Sequence, residues 1–250
     1  MTSLPNKVLQ DKVAIVTGAG RGIGRAIALG YAEAGAAVCC VARTQSEIEA
    51  TVHEIQQQGG RGLALACDVT DLNAVVQLCD TTATILGGID ILVINAGVSL
   101  DHHPVELSDP DDWRTTLEVN LFGAYHCAKA AIPHLKRRGG GKIITIGSGM
   151  GRRGRVGSSA YSCSKAALWM LTRVLAQELW QDRISVNELI PGPVETAMTQ
   201  DPAARTGPAF ATESEWIKQP EDVVPLALFL ATQPDIGPTA QSFSLMRRDA

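Results

Sequence analysis

Tyr161 and Lys165 stand four residues apart in a segment of helical spacing, so they share one helix face. An ammonium beside a phenol favours the phenolate and lowers the phenol's pKa towards neutrality. Tyr161 is therefore a candidate general acid for a carbonyl oxygen, or base for an alcohol. Ser148 follows the apolar run 142–147, at the carboxyl edge where doubly wound sheets do their chemistry. Its hydroxyl can hydrogen-bond the same substrate oxygen. A Tyr and a Lys at this spacing are common on ordinary helices, so the pair takes its meaning from its company.

The second constellation is Gly18-Ala19-Gly20-Arg21-Gly22-Ile23-Gly24, directly after Val-Ala-Ile-Val-Thr and before a helical segment. It departs from G-x-G-x-x-G because position 23 is Ile. The physics is the same: glycines let backbone N–H groups approach a pyrophosphate, and a helix N-terminus stabilises its charge. NAD sites close the second strand with an acid that bonds the ribose 2′-hydroxyl. Here the strand closes Val41-Ala42-Arg43-Thr44. Arg43 can bind a 2′-phosphate bidentately, with Arg21 adding charge from the glycine turn. The bland alternative is a solvated arginine at a helix start, where an acid is more welcome. NADP(H) is the expected dinucleotide, with NAD(H) second.

These groups need elements to hold them. Apolar, β-rich runs at 13–17, 37–42, 63–67, 89–94, 142–147 and 184–190 alternate with helical patterns at 22–34, 45–58, 71–86, 111–135 and 159–180. The runs are continuously apolar, which predicts strands covered on both faces. Alternating βα units of that kind predict an α/β fold: a Rossmann-type, doubly wound parallel sheet with helices on both faces. Asp109 is placed to cap a helix that starts at Pro110. The 250 residues read as one domain. The irregular stretch 197–219, rich in Pro, Thr, Gly and Ala, is the candidate substrate loop.

Composition narrows the class. The net charge of −4 is a poor match to nonspecific nucleic-acid binding. The opening MTSLPNKVLQDK holds no apolar signal core. Glu33, Lys129 and Glu188 interrupt the best candidates for an uncharged membrane span. The six cysteines form no C-x-x-C pair and read as reduced, buried thiols of a cytoplasmic protein. Cys163, two residues from Tyr161, is expected to pack. No metal is expected: His126 and His134 are eight apart, about 12 Å along a helix, and His102-His103 has no neighbouring Cys. Around Ser148 the first glycine of a hydrolase elbow is missing. Arg152, Arg153 and Arg155 read as solvated; the alternative is that they greet a substrate carboxylate, a phosphate or a carrier's phosphopantetheine.

Taken together and in order, the motifs resemble the short-chain dehydrogenase/reductase family from about residue 10 to 245. They are T-G-A-G-R-G-I-G at 17–24, C-D-V at 67–69, N-A-G at 95–97, Asn120 in L-E-V-N-L-F-G, Ser148, Y-S-C-S-K at 161–165, and P-G-P-V-E-T at 191–196. The resemblance implies NAD(P)-dependent hydride transfer between a nicotinamide and a small-molecule carbonyl or secondary alcohol. It gives Tyr161 the acid/base role and Ser148 the orienting role, and has Lys165 hold the nicotinamide ribose and lower the Tyr pKa. Asn120 would keep a helix kinked around a water of the proton relay. Asp68 and the Val69 backbone would meet the adenine, and Asn95, Ala96 and Gly97 the adenosine ribose. Pro191, Val194 and Thr196 would fix the carboxamide. A homotetramer built on the helices around 111–135 and 159–180 is also implied. Two alternatives stand beside this reading: a 3-ketoacyl-thioester reductase using the arginine cluster, and a dinucleotide-sensing binding protein without turnover. Ser185 and Glu188 stand where the family more usually has Arg and a small residue. The C-terminal V-D-G-G is replaced by residues 243–248, which leaves room for the last strand but departs from the family's C-terminal contacts near a subunit interface.

Overall fold

Val13–Thr17 is apolar until its last residue, and all five residues are buried. Its side chains alternate between two cores: Ala14 and Val16 join one, Ile15 the other. A strand covered on both sides needs apolar residues at every position, which is why alternation is absent from the sequence. Cys39 and Cys40 obey the same rule, entering opposite cores. This computed structural model describes residues 7–200 and 216–246.

Seven parallel strands form one sheet in the order β3-β2-β1-β4-β5-β6-β7. They are β1 (Val13–Thr17), β2 (Ala37–Ala42), β3 (Arg61–Ala66), β4 (Ile91–Ile94), β5 (Gly141–Ile146), β6 (Ile184–Ile190) and β7 (Ser242–Ser244). One face carries α1 (Gly22–Glu33) and α2 (Gln45–Gln57). The other carries α3 (Leu72–Leu86) and, beyond α4 (Pro110–Leu117), α5 (Gly123–Arg137). α6 (Met150–Arg153) is a single turn before the long α7 (Ser159–Leu179), which also covers that second face. α8 (Ala197–Gln200) and α9 (Val224–Thr232) follow, α9 packing beside α1. The order reverses between β1 and β4, which opens a crevice at the carboxyl ends of the strands.

Helix starts follow the caps in the sequence. Asp109 Oδ1 accepts hydrogen bonds from the N–H groups of Asp111 and Asp112, and Pro110 sits at the first helical position. Asp71 caps α3 in the same way.

Two expectations change. The strand expected at 63–67 to be covered on both faces is an edge strand, and β3 is only half-buried. The helix expected over 111–135 is interrupted by a π-helical segment at Glu118–Phe122. The last strand survives as the three residues of β7, paired with β6. Of the candidate substrate loop, 197–200 form α8 and 216–219 carry a bridge between Val194 and Lys218; 201–215 lie outside the described residues.

Candidate active site

A cleft of about 590 Å³ opens at the carboxyl ends of the central strands. Gly18, Gly20, Arg21, Gly22 and Ile23 line one side. Gly18 has φ +67°, a left-handed backbone that turns the chain out of β1. α1 starts at Gly22 with no side-chain cap and no acid in its first turn. Its positive end therefore meets the cleft uncompensated, as a cradle for an anionic pyrophosphate requires. Gly24, expected in the cofactor set, lies behind the cleft. A Cβ there would run into the Gly18 carbonyl and the Asn95 amide, so Gly24 lets the helix pack close to the turn.

Ser148, Tyr161 and Lys165 meet on the same cleft, brought from the end of β5 and one face of α7. Ser148 stands beside the Tyr161 hydroxyl and favours its ionised form. Lys165 is buried, its Nζ 5.7 Å from the Tyr161 ring centre, and it donates to the Ile146 carbonyl at 2.8 Å. Burial pushes the Lys165 ammonium down to about 8, against the pull of the Glu188 carboxylate. The phenol moves opposite to expectation. Burial raises the Tyr161 pKa and the neighbouring Ser148 hydroxyl only partly offsets it.

Asn120 does not line the cleft but stands behind it, buried in the π segment. Its Oδ1 accepts from the Val98 N–H at 2.8 Å. Its Nδ2 donates to the Val98 carbonyl at 2.9 Å and to Ser164 Oγ at 3.0 Å. Ser164 in turn donates to the Tyr161 carbonyl at 2.8 Å. The π segment is thus tied to the turn of α7 that carries the phenol.

At the far end of the cleft stand Arg43, Asp68 and Val69, with Asn95, Ala96 and Gly97 between the two ends. Burial pushes the Asp68 carboxyl up, but hydrogen bonds from Thr70 and the charge of Arg43 hold it below the usual range. Pro191, Val194 and Thr196 also line the cleft. Thr196 approaches the position a Cβ would take at Gly22 to 3.3 Å.

Several participants escaped the sequence reading. Thr17 Oγ1 accepts from the N–H groups of Asn95 and Ala96 at 2.9 and 3.0 Å, joining β1 to the N-A-G turn. Its place at the end of β1, just before the glycine turn, was the available signal. Glu47 lines the cleft 3.8 Å from Arg21. Arg152, expected in solvent, turns inward onto Glu188 at 2.7 Å, whereas Arg153 is exposed. Cys163 is exposed and does not pack, while the other five cysteines are buried. His126 contacts the Val69 carbonyl, and His134 meets Asp80. Among the described residues no group of three or more His, Cys, Asp or Glu is placed to hold a metal. None of their helices is long and apolar enough to cross a membrane.

Comparison with known proteins places this geometry. The family described as short chain dehydrogenase matches residues 12–206. A 3-oxoacyl-[acyl-carrier-protein] reductase of Synechocystis is 35% identical, over 95% of this chain and 96% of its own. A solved structure from Beutenbergia cavernae, with NADP bound at low occupancy, superposes with a TM-score of 0.85 at 35% identity, covering 96% of each chain. A 7α-hydroxysteroid dehydrogenase complexed with NADH and 7-oxo glycochenodeoxycholic acid superposes with a TM-score of 0.87 at 32% identity, covering 98% of this chain and 96% of that one.

Proposed function

The chain belongs to the short-chain dehydrogenase/reductase family, NAD(P)-dependent oxidoreductases of carbonyl and alcohol groups, and from that premise we propose that Tyr161, Ser148 and Lys165 carry its reaction, with Asn120 holding their support. The observation that carries this is the convergence of the three on one cleft.

When bound, the nicotinamide supplies or accepts the hydride. The chain's own work is to place the substrate oxygen and move a proton. In reduction, Ser148 donates a hydrogen bond to the carbonyl oxygen and Tyr161 Oη gives it the proton. A phenol kept protonated by burial is ready for that direction. The Lys165 ammonium, held by the Ile146 carbonyl, stabilises the phenolate left behind. In oxidation the same phenolate takes the alcohol's proton.

The glycine turn and the α1 N-terminus would hold the pyrophosphate. Asp68 and Val69 would meet the adenine, Asn95 to Gly97 its ribose, and Pro191, Val194 and Thr196 the carboxamide. NADP(H) is the preferred dinucleotide in this reading, with NAD(H) second: Arg43 supports it from the end of β2, where no acid stands. The substrate is a small carbonyl or secondary alcohol. The 3-ketoacyl-thioester alternative must do without Arg152, which Glu188 engages. Exposed Phe122, Tyr125, Met170 and Val174 around α5 and α7 support the homotetramer, which light scattering would find at fourfold the 26.5 kDa chain. The free thiols suit a reducing compartment, and the reading places the protein in the cytoplasm.

The test is Tyr161→Phe against a panel of ketones, 3-ketoesters, acyl thioesters and sugars, followed through NADPH oxidation. Wild type turns over at least one class. The variant binds NADPH normally and loses roughly 10²–10⁴-fold in kcat, the usual share of a general acid. Wild-type kcat in the variant removes Tyr161 from its role.

A further inference from the structure

β6 is buried along its whole length, and Glu188 sits in it with 1% of its surface exposed. A carboxylate in such a place is expensive unless it is paired and hydrogen-bonded. Both conditions are met. Glu188 Oε2 accepts from Arg152 Nη2 at 2.7 Å and from Ser242 Oγ at 2.6 Å. Arg152 Nη2 also reaches Ser242 Oγ at 2.7 Å. The guanidinium lies over the Trp169 ring of α7 at 4.7 Å, with Arg173 over the same ring at 5.5 Å. One buried carboxylate therefore links β6, β7, α6 and α7.

Its location ties this knot to the chemistry. A Cβ at Gly147 would collide with the Glu188 carboxylate, so the acid rests directly against that glycine. On one side of Gly147 is Ile146, whose carbonyl receives the Lys165 ammonium. On the other is Ser148, and α6, which carries Arg152, starts two residues later. A buried ion pair is weak support for stability by itself, since well-packed apolar groups often do as well. Its placement beside the strand end that carries Ser148 and holds Lys165 suggests a different use.

We propose that Glu188 is a positioning residue of this reaction: with Arg152 and Ser242 it fixes the segment that presents Ser148, and its carboxylate sets the charge that Lys165 experiences. The proposal rests on the Tyr161–Ser148–Lys165 assignment above. Among the described residues, the titratable and charged groups around Lys165 are Tyr161 on its own helix, Glu188 from β6 and, through Glu188, Arg152 from α6. Arg173, also on α7, is engaged with Trp169 and the Ala240 carbonyl. Burial drives the ammonium towards neutrality, and Glu188 is the charge that opposes it.

Two substitutions in the pair act with opposite signs. Glu188→Gln removes the negative charge and leaves a guanidinium nearby, so Lys165 releases its proton at lower pH. Arg152→Met removes the positive charge and leaves the carboxylate unbalanced, so Lys165 holds its proton to higher pH. The experiment is NMR of the full-length protein labelled with ε-¹³C lysine, titrated without cofactor or substrate, the Lys165 signal being assigned by its loss in Lys165→Met. From a wild-type midpoint of about 8, Glu188→Gln should fall by about one unit, the low end for losing an opposite charge at short range. Arg152→Met should rise. With a ketone substrate, the alkaline limb of reduction moves the same way in each variant.

A purely structural role lowers activity in both variants without moving the midpoints apart. Unmoved midpoints, or movement in one direction in both, overturn the proposal. If Glu188→Gln does not fold, Arg152→Met decides alone, since its guanidinium is partly exposed and an unmoved midpoint there contradicts the mechanism. Failure of the active-site assignment is seen separately, as a fully active Tyr161→Phe with Lys165 titrating as described.

Discussion

Arg43 and Glu47 line the same cleft with opposite charges, at the end where the proposed function puts the adenosine. A 2′-phosphate gains charge-assisted hydrogen bonds from Arg43 and must compete with Glu47 for Arg21, 3.8 Å away. Such bonds contribute roughly 1.5–3 kcal/mol each where water is partly excluded. Arg43 is exposed, so the lower end applies, about tenfold in affinity. Arg43→Ala should thus weaken NADPH by about tenfold and leave NADH nearly unchanged. The loss falls on KM, because the 2′-phosphate is remote from the reacting carbon and binds ground and transition states alike. High salt should shrink the difference. Steady-state kinetics with both dinucleotides check this; equal weakening of the two would leave Arg43 a solvated helix-start residue. The position of Arg43 was legible because it closes an apolar run. Glu47 was not, since a single acid in a first helical turn reads as dipole compensation.

Among the elements, the π segment Glu118–Phe122 does the most for the site. Asn120 is buried in this segment, where it bonds both backbone groups of Val98 and the Ser164 hydroxyl. Asn120→Ala strands buried donors and acceptors, at about 1–3 kcal/mol for each one left unsatisfied. The expected outcome is a lower urea midpoint together with a reduced kcat, since Ser164 loses its anchor to the Tyr161 turn. Wild-type stability in Asn120→Ala would mean that the π segment is held by packing alone. A π turn has no residue type or spacing of its own that marks it, so the sequence over 111–135 reads as an unbroken helix. α9 was invisible for a related reason: VPLALFLAT is apolar at nearly every position and shows no face.

At the scale of the molecule, pH stability sets thiols against lysine. Burial raises Cys67 to about 11 and Cys39, Cys40 and Cys79 to about 12, from an ordinary value of 9.0, and raises Cys127 as well. Above pH 9 the unfolded chain releases these protons first, so the stability they contribute is present below 9 and lost as pH rises through 11–12. Lys165 works the other way. Its pKa falls from 10.5 to about 8, so the unfolded chain binds the extra proton across that window and stability rises with pH there. One pKa unit is about 1.4 kcal/mol, so by about pH 10.5 each thiol forfeits roughly 2 kcal/mol and Lys165 returns at most about 3. Several thiols outweigh one lysine. The unfolding free energy should therefore fall from pH 9 upwards, and a Cys40→Ala/Cys79→Ala double variant should lose less across that range despite lower stability at neutral pH. Urea unfolding at a series of pH values measures both; parallel curves would exclude the thiols as the cause.

What the sequence determined by itself is whatever depends on neighbours along the chain. Short apolar runs alternating with helical patterns at 13–17, 37–42, 142–147 and 184–190 read as buried strands, Gly18 to Gly24 as a tight turn into a helix, Asp109 as a cap, and Tyr161 and Lys165 as sharing a face. Packing between distant segments decided the rest. Glu188 finds Arg152 across 36 positions and Ser242 across 54. β3 is half-exposed because no strand lies beyond it. The Tyr161 phenol is raised and not lowered, because burial dominates its environment. Burial and charge pairing are properties of which surfaces meet in space, and spacing along the chain does not carry them.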